Sequence, residues 1–427
     1  MPRGRRSSAI SRSRSSTRRS QSPARTNNDG STSEGMQGQQ VHQGLHQGRK
    51  EGRQRVVCLS LSGAVYAEVW LDKPATVNQL RSEVKAMVET APGCGLSFFT
   101  PGGGELSEGA TIPEELEEVN VVLSSRKLLA TACSDGSAAL WDAATGEWLT
   151  SFLGHDLSVM SVALSPDGEC VATGSSDHTV RLWSVPRLSW RLTLRGHQRA
   201  VQCVNFSNDS SRLVSASSDC TARIWSAGSF GECLAVVRRH RKDVLWAGFS
   251  PDDARLLTAS EDRRAIVWDA GPGSLEWQQT IECQNKPLTC AAWSADSLHV
   301  AIAARGREIY VWKTRQTCGV QQKLDNSSAV FAVCWNPESR THLAAALEDR
   351  CVCVWDAFSG ERVAHLQGHS GKVFGISYSD DGRLLASASA DETVRVWSAQ
   401  TYGYLRTLEG HFSVINSVSF SAAASSC

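Results

Sequence analysis

A histidine, an aspartate and a hydroxyl residue, the side chains of a hydrolase triad, recur along the sequence at fixed distances from a tryptophan. In each copy the histidine precedes the tryptophan by 28 residues and the aspartate precedes it by six. An enzyme needs one nucleophile in one cleft, whereas this set occurs in repeat after repeat, which argues against catalysis. The full copies are His155, Thr173 or Ser175, Asp177 and Trp183; His197, Ser215, Asp219 and Trp225; His240, Thr258, Asp262 and Trp268; and His369, Ser387, Asp391 and Trp397.

The tryptophans close a repeated stretch. Residues 368–398 read GHSGKVFGISYSDDGRLLASASADETVRVWS, and closely similar stretches lie at 154–184 and 196–226. A period of about 40–45 residues with a GH…W(D/S) frame is typical of β-propeller arrays. On these residues the protein resembles the WD-repeat family over about 125–421, and the resemblance implies that each polar set is a buried hydrogen-bonded network. The closing residues of repeats 1 to 7 are Trp141, Trp183, Trp225, Trp268, Trp312, Trp355 and Trp397.

Each repeat predicts four β-strands. In repeat 2 these are VMSVALS, CVATGSS, TVRLWS and SWRLTL, separated by short turns. Repeat 1 has only three strands, and an orphan half-repeat, GHFSVINSVSFS, lies at 410–421. We predict that 410–421 supplies the missing strand and removes an exposed edge, so that His411 meets Asp135 and Trp141. The predicted fold of 125–427 is therefore an all-β, seven-bladed WD-repeat propeller.

Repeats 5 and 6 depart from the pattern. Both lack most of the polar set, and the residues are lost together because a half-satisfied buried network is worse than none. We expect these two repeats to be less regular. Only the aspartate of repeat 6 is kept. The residues at the network positions are Gln284, Ile302, Ala304 and Gly306 in repeat 5, and Asn326, Ala345, Leu347 and Asp349 in repeat 6.

The protein of 427 residues has no net charge, but its charges are unevenly distributed. Residues 1–55 hold twelve Lys/Arg against three Asp/Glu, whereas 56–124 hold three against ten. We predict that 1–54, rich in Arg and Ser and then in Gly and Gln, is a disordered tail and linker. A solvated tail, a nuclear-localisation or RNA-contacting arm, a transit peptide and a phosphorylated regulatory segment are alternatives.

Residues 55–124 predict two strands, a helix and two further strands. The strands are VVCLSLSG, AVYAEVWLD, LSFF and VNVVL, and Thr76 with Gln79 forms a capping box for the helix. This order resembles the ubiquitin-like β-grasp fold, a small α+β domain. Since VNVVL is followed by SSRKLLATA, the unit has no Gly-Gly terminus for conjugation. Both a docking module and a packed N-terminal cap fit the pattern.

Other chemistry has no motif in the sequence. A phosphate-binding loop, an HExxH zinc motif and a paired CxxC are absent, and we predict no cofactor, no metal and no enzymatic activity. Cys351 and Cys353 share one face of a strand, where core packing is favoured over metal binding. The fourteen scattered cysteines indicate reduced thiols. Without an apolar span or an apolar leader, we expect an intracellular monomer with no membrane contact, and the Arg/Ser tail favours the nucleus over the cytoplasm.

Three functions fit such a sequence. The first is a scaffold whose propeller binds a protein or peptide while the ubiquitin-like unit docks a second partner in a multiprotein complex. The second is a substrate receptor of a ubiquitin ligase; the W-D-x-Arg motif of that role is approached only at Trp312-Lys313-Thr314-Arg315, and no F-box-like segment is seen. The third is a ribonucleoprotein or RNA-processing factor that contacts RNA through the basic tail.

The resemblance also implies a partner site. Ligands of such propellers sit on the face that carries the loops entering each first strand, and the exposed residue after that strand's first apolar position lines the central opening. Phenylalanines with polar neighbours suit an interface hot spot; the alternative is that both phenylalanines pack inside their blades. The lining set is Met160, Gln202, Leu245, Thr289, Phe331, Phe374 and Ile415, and the neighbouring loops add Arg241, Lys242, Glu348 and Lys372.

Overall fold

The computed structural model describes most of the sequence after residue 52. In these ranges it is all-β, with eight four-stranded sheets and a single helix of 11 residues. No described helix is both long and apolar enough to cross a bilayer. The predicted tail, apart from residues 53–54, and Gln284 lie outside the described residues. The described ranges are 53–59, 65–87, 94–101, 106, 110–113, 116, 118–125, 127–228, 230–271, 275–283, 286–314 and 320–421.

The first sheet is mixed. Its elements are β1 (Arg53–Leu59), β2 (Val65–Asp72), α1 (Val77–Met87), β3 (Cys94–Phe99) and β4 (Glu118–Ser125). Strand β1 pairs antiparallel with β2 and parallel with β4, and β4 pairs antiparallel with β3, which gives the order β2-β1-β4-β3.

Helix α1 packs on this sheet through one apolar face. Val77, Leu80 and Val84 are fully buried against strand residues such as Val56 and Phe98. The predicted capping box is present, because the Thr76 amide donates to Gln79 Oε1 at 2.9 Å and the Gln79 amide donates to Thr76 Oγ1 at 3.3 Å.

The remaining seven sheets follow the repeats and are called sheets 1 to 7. Each is antiparallel, and in sheets 2 to 7 the strands pair in sequence order. Sheet 2 has β8 (Val159–Leu164), β9 (Cys170–Ser175), β10 (Val180–Ser184) and β11 (Ser189–Leu194); sheet 3 has β12 (Val201–Phe206), β13 (Arg212–Ser217), β14 (Ala222–Ser226) and β15 (Cys233–Val237); sheet 4 has β16 (Val244–Phe249), β17 (Arg255–Ser260), β18 (Arg264–Asp269) and β19 (Glu276–Glu282). Sheet 5 has β20 (Leu288–Trp293), β21 (His299–Ala304), β22 (Glu308–Lys313) and β23 (Val320–Asp325); sheet 6 has β24 (Val330–Trp335), β25 (His342–Leu347), β26 (Val352–Asp356) and β27 (Arg362–Leu366); sheet 7 has β28 (Val373–Tyr378), β29 (Leu384–Ser389), β30 (Val394–Ser398) and β31 (Tyr404–Leu408).

Sheet 1 joins the two ends of the repeat region. Its strands are β5 (Leu128–Cys133), β6 (Ala138–Asp142), β7 (Trp148–Phe152) and, at its edge, β32 (Ile415–Phe420). Strand β32 pairs antiparallel with β5, as the half-repeat at 410–421 predicts. Lys127 also forms an ion pair with Asp381 of sheet 7, so the join is bridged by charge as well as by the strand ladder.

The first strands of the seven sheets lie at the centre. Each packs against the first strand of the next sheet, and the cycle closes because β32 contacts both β28 and β8. Second strands such as β9, β17 and β21 are buried along their whole length, whereas fourth strands such as β11 and β15 are largely exposed. Apolar residues between neighbouring sheets thus form the core of this region.

A buried hydrogen-bonded network joins strands within four sheets. In sheet 2, Trp183 Nε1 donates to Thr173 Oγ1 at 2.9 Å, Thr173 Oγ1 lies 2.7 Å from His155 Nε2, and His155 Nδ1 lies 2.7 Å from Asp177 Oδ2. A neutral imidazole with its proton on Nδ1 satisfies every contact. The same network, with distances of 2.7–3.1 Å, joins His197, Ser215, Asp219 and Trp225 in sheet 3; His240, Thr258, Asp262 and Trp268 in sheet 4; and His369, Ser387, Asp391 and Trp397 in sheet 7.

Sheets 5 and 6 replace this network differently. In sheet 6, Trp355 Nε1 donates directly to Asn326 Oδ1 at 2.9 Å, so one asparagine takes the place of both the histidine and the hydroxyl. In sheet 5 the Trp312 indole N–H is buried and has no hydrogen-bond partner among the described residues. A part-buried ion pair, Lys286–Glu308 at 2.6 Å, lies beside Gly306, which stands where complete networks have the aspartate.

Sheet 1 has only part of the network that its sequence predicts. Trp141 Nε1 donates to Thr131 Oγ1 at 3.0 Å, and His411 Nε2 lies 2.7 Å from the same oxygen, as expected for the join. The expectation that His411 also bonds Asp135 is wrong in the described structure. Asp135 is exposed, and its Oδ1 accepts hydrogen bonds from the amide and hydroxyl of Ser137 instead.

Deleting β32 should abolish cooperative folding. A protein that ends at Glu409 leaves the edge of β5 unpaired and removes His411 from Thr131. We expect its thermal unfolding, followed by tryptophan fluorescence, to lose the sharp transition of the full-length protein. A protein that ends at Ser421 keeps β32 and serves as the control; equal melting of all three proteins would refute closure by this strand.

The network tryptophans should dominate stability. Trp183 is 3% exposed, and its replacement by alanine should cost about 3–5 kcal/mol. Its cross-strand neighbour Trp190 is 57% exposed, so Trp190→Ala is a matched control that should cost far less. His155→Ala should also destabilise the fold, because Asp177 then loses its buried partner. Urea unfolding measures all three effects, and equal losses at both tryptophans would contradict the prediction.

Acid should weaken the same networks. Burial alone would raise the pKa of Asp177, but hydrogen bonds from His155 and Thr179 outweigh it and hold this pKa well below its usual range. Such a carboxylate stabilises the fold above its unfolded pKa of about 3.9, and the contribution is lost as pH falls through that value towards the folded pKa.

We therefore expect the urea midpoint to fall steeply below about pH 4. The variant Asp177→Asn should show a shallower pH dependence, whereas Asp156→Asn, at an exposed aspartate, should keep the wild-type slope. Identical pH profiles for Asp177→Asn and the wild type would rule out this origin of acid sensitivity.

Candidate functional site

The repeated Ser/Thr–His–Asp sets are not arranged for catalysis. Their hydroxyl residues, Thr173, Ser215, Thr258 and Ser387, have no exposed surface, and each hydroxyl accepts a hydrogen bond from a buried indole. A nucleophile must reach a substrate. These hydroxyls join strands and face no cleft.

The central opening is lined by one residue from each first strand. In six sheets this residue is the predicted one, and together with deeper residues it borders a cavity of about 750 Å³. The six are Met160, Gln202, Leu245, Thr289, Phe331 and Phe374. We call the side of the ring that carries the loops entering the first strands the entry face.

A β-bulge explains why these residues point into the opening. In every first strand the pairing with the second strand shifts after the first residue, for example between Val159 and Ser161 and between Val330 and Ala332. The residue inside the bulge is unpaired, and bulges re-aim side chains. Each lining residue occupies this position.

The expected lining role of Ile415 is wrong. Ile415 is fully buried, and the bulge of β32 falls between Ile415 and Ser417, so Asn416 lines the opening. The error comes from Val414, which precedes the strand. It adds a second apolar residue before the bulge and shifts the apparent register by one.

Phe331 and Phe374 form an aromatic pair at the edge of the opening. Their ring centroids are 4.9 Å apart and tilted by 54°, a favourable aromatic geometry. Both side chains are half-buried and line the cavity, so they do not pack inside their own sheets. The structure thus brings together two aromatic side chains from adjacent sheets.

Two further cavities lie near the opening, and one of them shares lining residues with it. One, of about 380 Å³, contains Leu245, Thr289 and Phe331 together with Glu348 and Lys372. Lys372 Nζ bonds Glu348 Oε1 at 2.7 Å, and both side chains are about half exposed. This ion pair spans sheets 6 and 7 beside the aromatic pair.

The other cavity is an open groove of about 990 Å³ on sheet 4. It is lined by Arg241 and Lys242, whose side chains are exposed, and by Glu261, which also borders the smaller cavity. Glu261 lies 3.9 Å from Arg305. The ten residues predicted for partner binding therefore line three neighbouring cavities on or next to the entry face.

Trp246 is a lining residue that the sequence analysis did not select. It occupies the third position of β16, where the other first strands have Ser161, Cys203, Cys290, Ala332, Gly375 and Ser417. Its ring lies over Gly248, where an added Cβ would be 2.5 Å from Trp246 Cη2, and it packs against apolar clusters of sheets 3 to 6. The sequence signal for Trp246 as a lining residue was its size, since the other six repeats have a small residue at this position.

Two exposed apolar side chains on the entry loops were also missed. Phe412 is 89% exposed and Leu157 is 55% exposed, in the loops that lead into β32 and β8. The corresponding loop residues of the other repeats are mostly polar, as in GHQRAV and GHSGKV. Their exposure extends the apolar surface of the entry face to sheets 1 and 2.

Eleven cysteines in the described part of the chain are free thiols. Cys353 is buried in the core of sheet 6, and Cys351 Sγ contacts the carbonyl of Asp349. Burial raises the pKa of Cys133 to about 11, the reverse of what a nucleophilic thiol needs. The one group of three potential metal ligands among the described residues contains Cys133, Asp135 and His411.

Comparison with known proteins agrees with the repeat structure. The model of the family "WD domain, G-beta repeat" matches residues 146–184, 189–226, 231–269, 319–356 and 360–398. These matches end in sheets 2, 3, 4, 6 and 7. They omit Trp312 of sheet 5, whose network is lost, and Trp141 of sheet 1, whose repeat is split between the ends of the region.

Three relatives give the range of similar proteins. The sequence is 26% identical over 131 residues to the U4/U6 small nuclear ribonucleoprotein PRP4 of Saccharomyces cerevisiae, which is 29% of this protein and 28% of the relative. It is 28% identical over 144 residues to the anaphase-promoting complex subunit cdc20 of Dictyostelium discoideum, and 26% identical over 148 residues to the pre-mRNA-processing factor 19 homolog 2 of Arabidopsis thaliana. Each of these two matches covers 33% of this protein and 28% of the relative.

The matched part thus spans little more than a quarter of each relative. The similarity therefore concerns the repeats and not the whole of any relative. WD40 propellers generally lack enzymatic activity. WD40 repeats are present in this protein, and the five matches together with the relatives support its membership of the WD-repeat family.

Proposed function

We propose that this protein is a non-enzymatic interaction scaffold. Residues 125–427 form a seven-bladed propeller that binds a protein or peptide on its entry face, and 55–124 form a ubiquitin-like domain that docks a second partner. The scaffold acts as a monomer inside the cell, as one member of a multiprotein complex.

The aromatic pair carries the proposal for the propeller. Phe331 and Phe374 come from separate sheets, and their ring centroids are 4.9 Å apart. Both side chains remain partly exposed at the mouth of the cavity. Aromatic side chains held on rigid strands bind at low entropic cost, and such clusters dominate interface energies. A partner side chain that enters the opening beside this pair is shielded from water.

Charged groups surround this apolar centre. The Lys372–Glu348 pair lies on one side, and the exposed Arg241 and Lys242 lie on the sheet 4 groove. Rim charges add little affinity, but they orient an incoming segment and speed its encounter. The arrangement suits an extended segment with an apolar anchor and flanking acidic residues.

The sheet of β1–β4 supports the second docking role. Trp70 is 48% exposed on the edge strand β2, opposite Arg55 of β1. Arg55 and Glu68 form an ion pair on the same face. Tryptophan is one of the residues most enriched at protein interfaces and at their hot spots.

Two alternatives draw on the names of the relatives. One match is to a subunit of the anaphase-promoting complex, and others are to a ribonucleoprotein and a pre-mRNA-processing factor. A role as a ubiquitin-ligase substrate receptor, or as an RNA-processing factor with RNA contact through the basic tail, would extend the scaffold function rather than replace it. The captured partners would separate them.

Loss of the aromatic pair should remove the propeller's partner without harming the fold. Phe331→Ala and Phe374→Ala should each weaken binding by about 2 kcal/mol and leave the melting temperature nearly unchanged. Quantitative affinity purification from cells, followed by titration of the recovered partner, measures the first quantity, and thermal unfolding measures the second.

Phe230→Ala provides the matched control. Phe230 is 89% exposed in the loop between β14 and β15, on the side of the ring opposite the entry face. Its variant should retain all partners, whereas Trp70→Ala should lose a different subset. Normal binding combined with early melting of both pair variants would place the phenylalanines in the core and contradict the proposed site.

A further inference from the structure

Three potential metal ligands meet where the ring closes. The sulfur of Cys133, a carboxylate oxygen of Asp135 and a ring nitrogen of His411 all lie within 4.8 Å of one another. Cys133 ends β5, Asp135 lies in the turn after it, and His411 lies in the loop before β32. The cluster therefore bridges the two ends of the repeat region.

Two changes distinguish this position from its equivalents in sheets 2, 3, 4 and 7. Cys133 stands where those sheets have Ser175, Ser217, Ser260 and Ser389. In those sheets the aspartate accepts a hydrogen bond from histidine Nδ1 at 2.7–3.0 Å, whereas Asp135 bonds Ser137. Among the described residues, His411 Nδ1 has no hydrogen-bond partner.

The imidazole of His411 is held in the orientation that a metal ligand needs. Its Nε2 lies 2.7 Å from Thr131 Oγ1, which also accepts from Trp141 Nε1 and donates to the Ala139 carbonyl. With the proton on Nε2, the contacts of Thr131 with His411, Trp141 and Ala139 are all satisfied, and the lone pair of Nδ1 is left for a metal ion. Ligating histidines are commonly fixed through their second nitrogen in this way.

We propose that Cys133, Asp135 and His411 bind a divalent metal ion of the zinc type. A mixed sulfur, nitrogen and oxygen set suits Zn²⁺ and disfavours Mg²⁺ or Ca²⁺. Bonds of about 2.0–2.3 Å place tetrahedral ligands roughly 3.3–3.8 Å apart, so the cluster must contract by about 1 Å. A rotation of the exposed Asp135 side chain supplies this contraction and leaves a fourth position for water.

The bound ion links the two ends of the repeat region. It takes over the connection between histidine and aspartate that sheet 1 lacks, and it ties the loop before β32 to the end of β5. Strand β32 lies at the edge of sheet 1 and pairs with one strand only, β5. A bound ion that ties its preceding loop to β5 should therefore suppress local opening of this strand.

Cobalt(II) titration tests the site directly. The full-length protein, freed of metal with a chelator and kept reduced, should bind one equivalent of Co²⁺ with a thiolate-to-cobalt charge-transfer band. Zn²⁺ should displace it, raise the melting temperature and slow amide exchange in 415–420. Cys133→Ser should lose the band and the zinc effect. This variant should fold, because four other sheets have serine here.

Asp135→Asn should weaken zinc binding by about tenfold or more, whereas Asp156→Asn should bind like the wild type. Absence of a charge-transfer band in the wild type would overturn the proposal. So would an equal band in Cys133→Ser, which would place the metal on another thiol such as the exposed Cys233, or unchanged affinity in Asp135→Asn.

Discussion

The pairing of β32 with β5 is the constraint on which the ring depends. The join brings Thr131 and His411, 280 residues apart, into contact at 2.7 Å, and every other first strand packs between two neighbours that this closure fixes. Contacts of such long range cost more loop-closure entropy than local ones and form slowly. The join is accordingly reinforced beyond its ladder, by the Ser134–Val414 backbone bond, the Leu128–Ser421 contact and the Lys127–Asp381 ion pair.

The buried networks are distributed unevenly. Sheet 1 lacks the bond from histidine to aspartate, and the two sheets with larger losses, 5 and 6, border the candidate site. Sheets 2, 3, 4 and 7 have complete networks from indole to carboxylate, whereas sheets 5 and 6 do not. The network aspartate of sheet 5 is replaced by Gly306, which lines the 380 Å³ cavity next to Phe331. An added Cβ at Gly306 would lie 3.0 Å from the Glu308 carboxylate, so a side chain here would have to displace Glu308. Loss of a stabilising network thus leaves space on the entry face.

Much of this structure can be predicted from the sequence because seven repeats show the same spacing. The period of the repeats fixes the strands, and the spacing of His155, Asp177 and Trp183 predicts their network. The predictions that are wrong or missing concern features that occur in only one repeat. The extra apolar residue Val414 shifts the apparent register at Ile415 by one. In sheet 6, a direct hydrogen bond from Trp355 to Asn326 replaces the network, and the spacing of the repeat does not predict this bond. The candidate partner surface depends on cavity shape, which neighbouring sheets create jointly and no single repeat encodes.

The seven bulge positions divide into two groups with different tasks. Gln202 donates to Ser218, Thr289 donates to the Val330 carbonyl, and Asn416 donates to the Val159 carbonyl. These three polar side chains are already engaged within the ring, and two of the bonds reach a neighbouring sheet. The other four bulge residues are apolar and make no side-chain hydrogen bonds that a ligand would have to replace. They are Met160, Leu245, Phe331 and Phe374. A ligand that enters the opening therefore meets an apolar surface at its centre, while polar recognition must come from the loops around it, where Lys372, Glu348 and Arg241 lie.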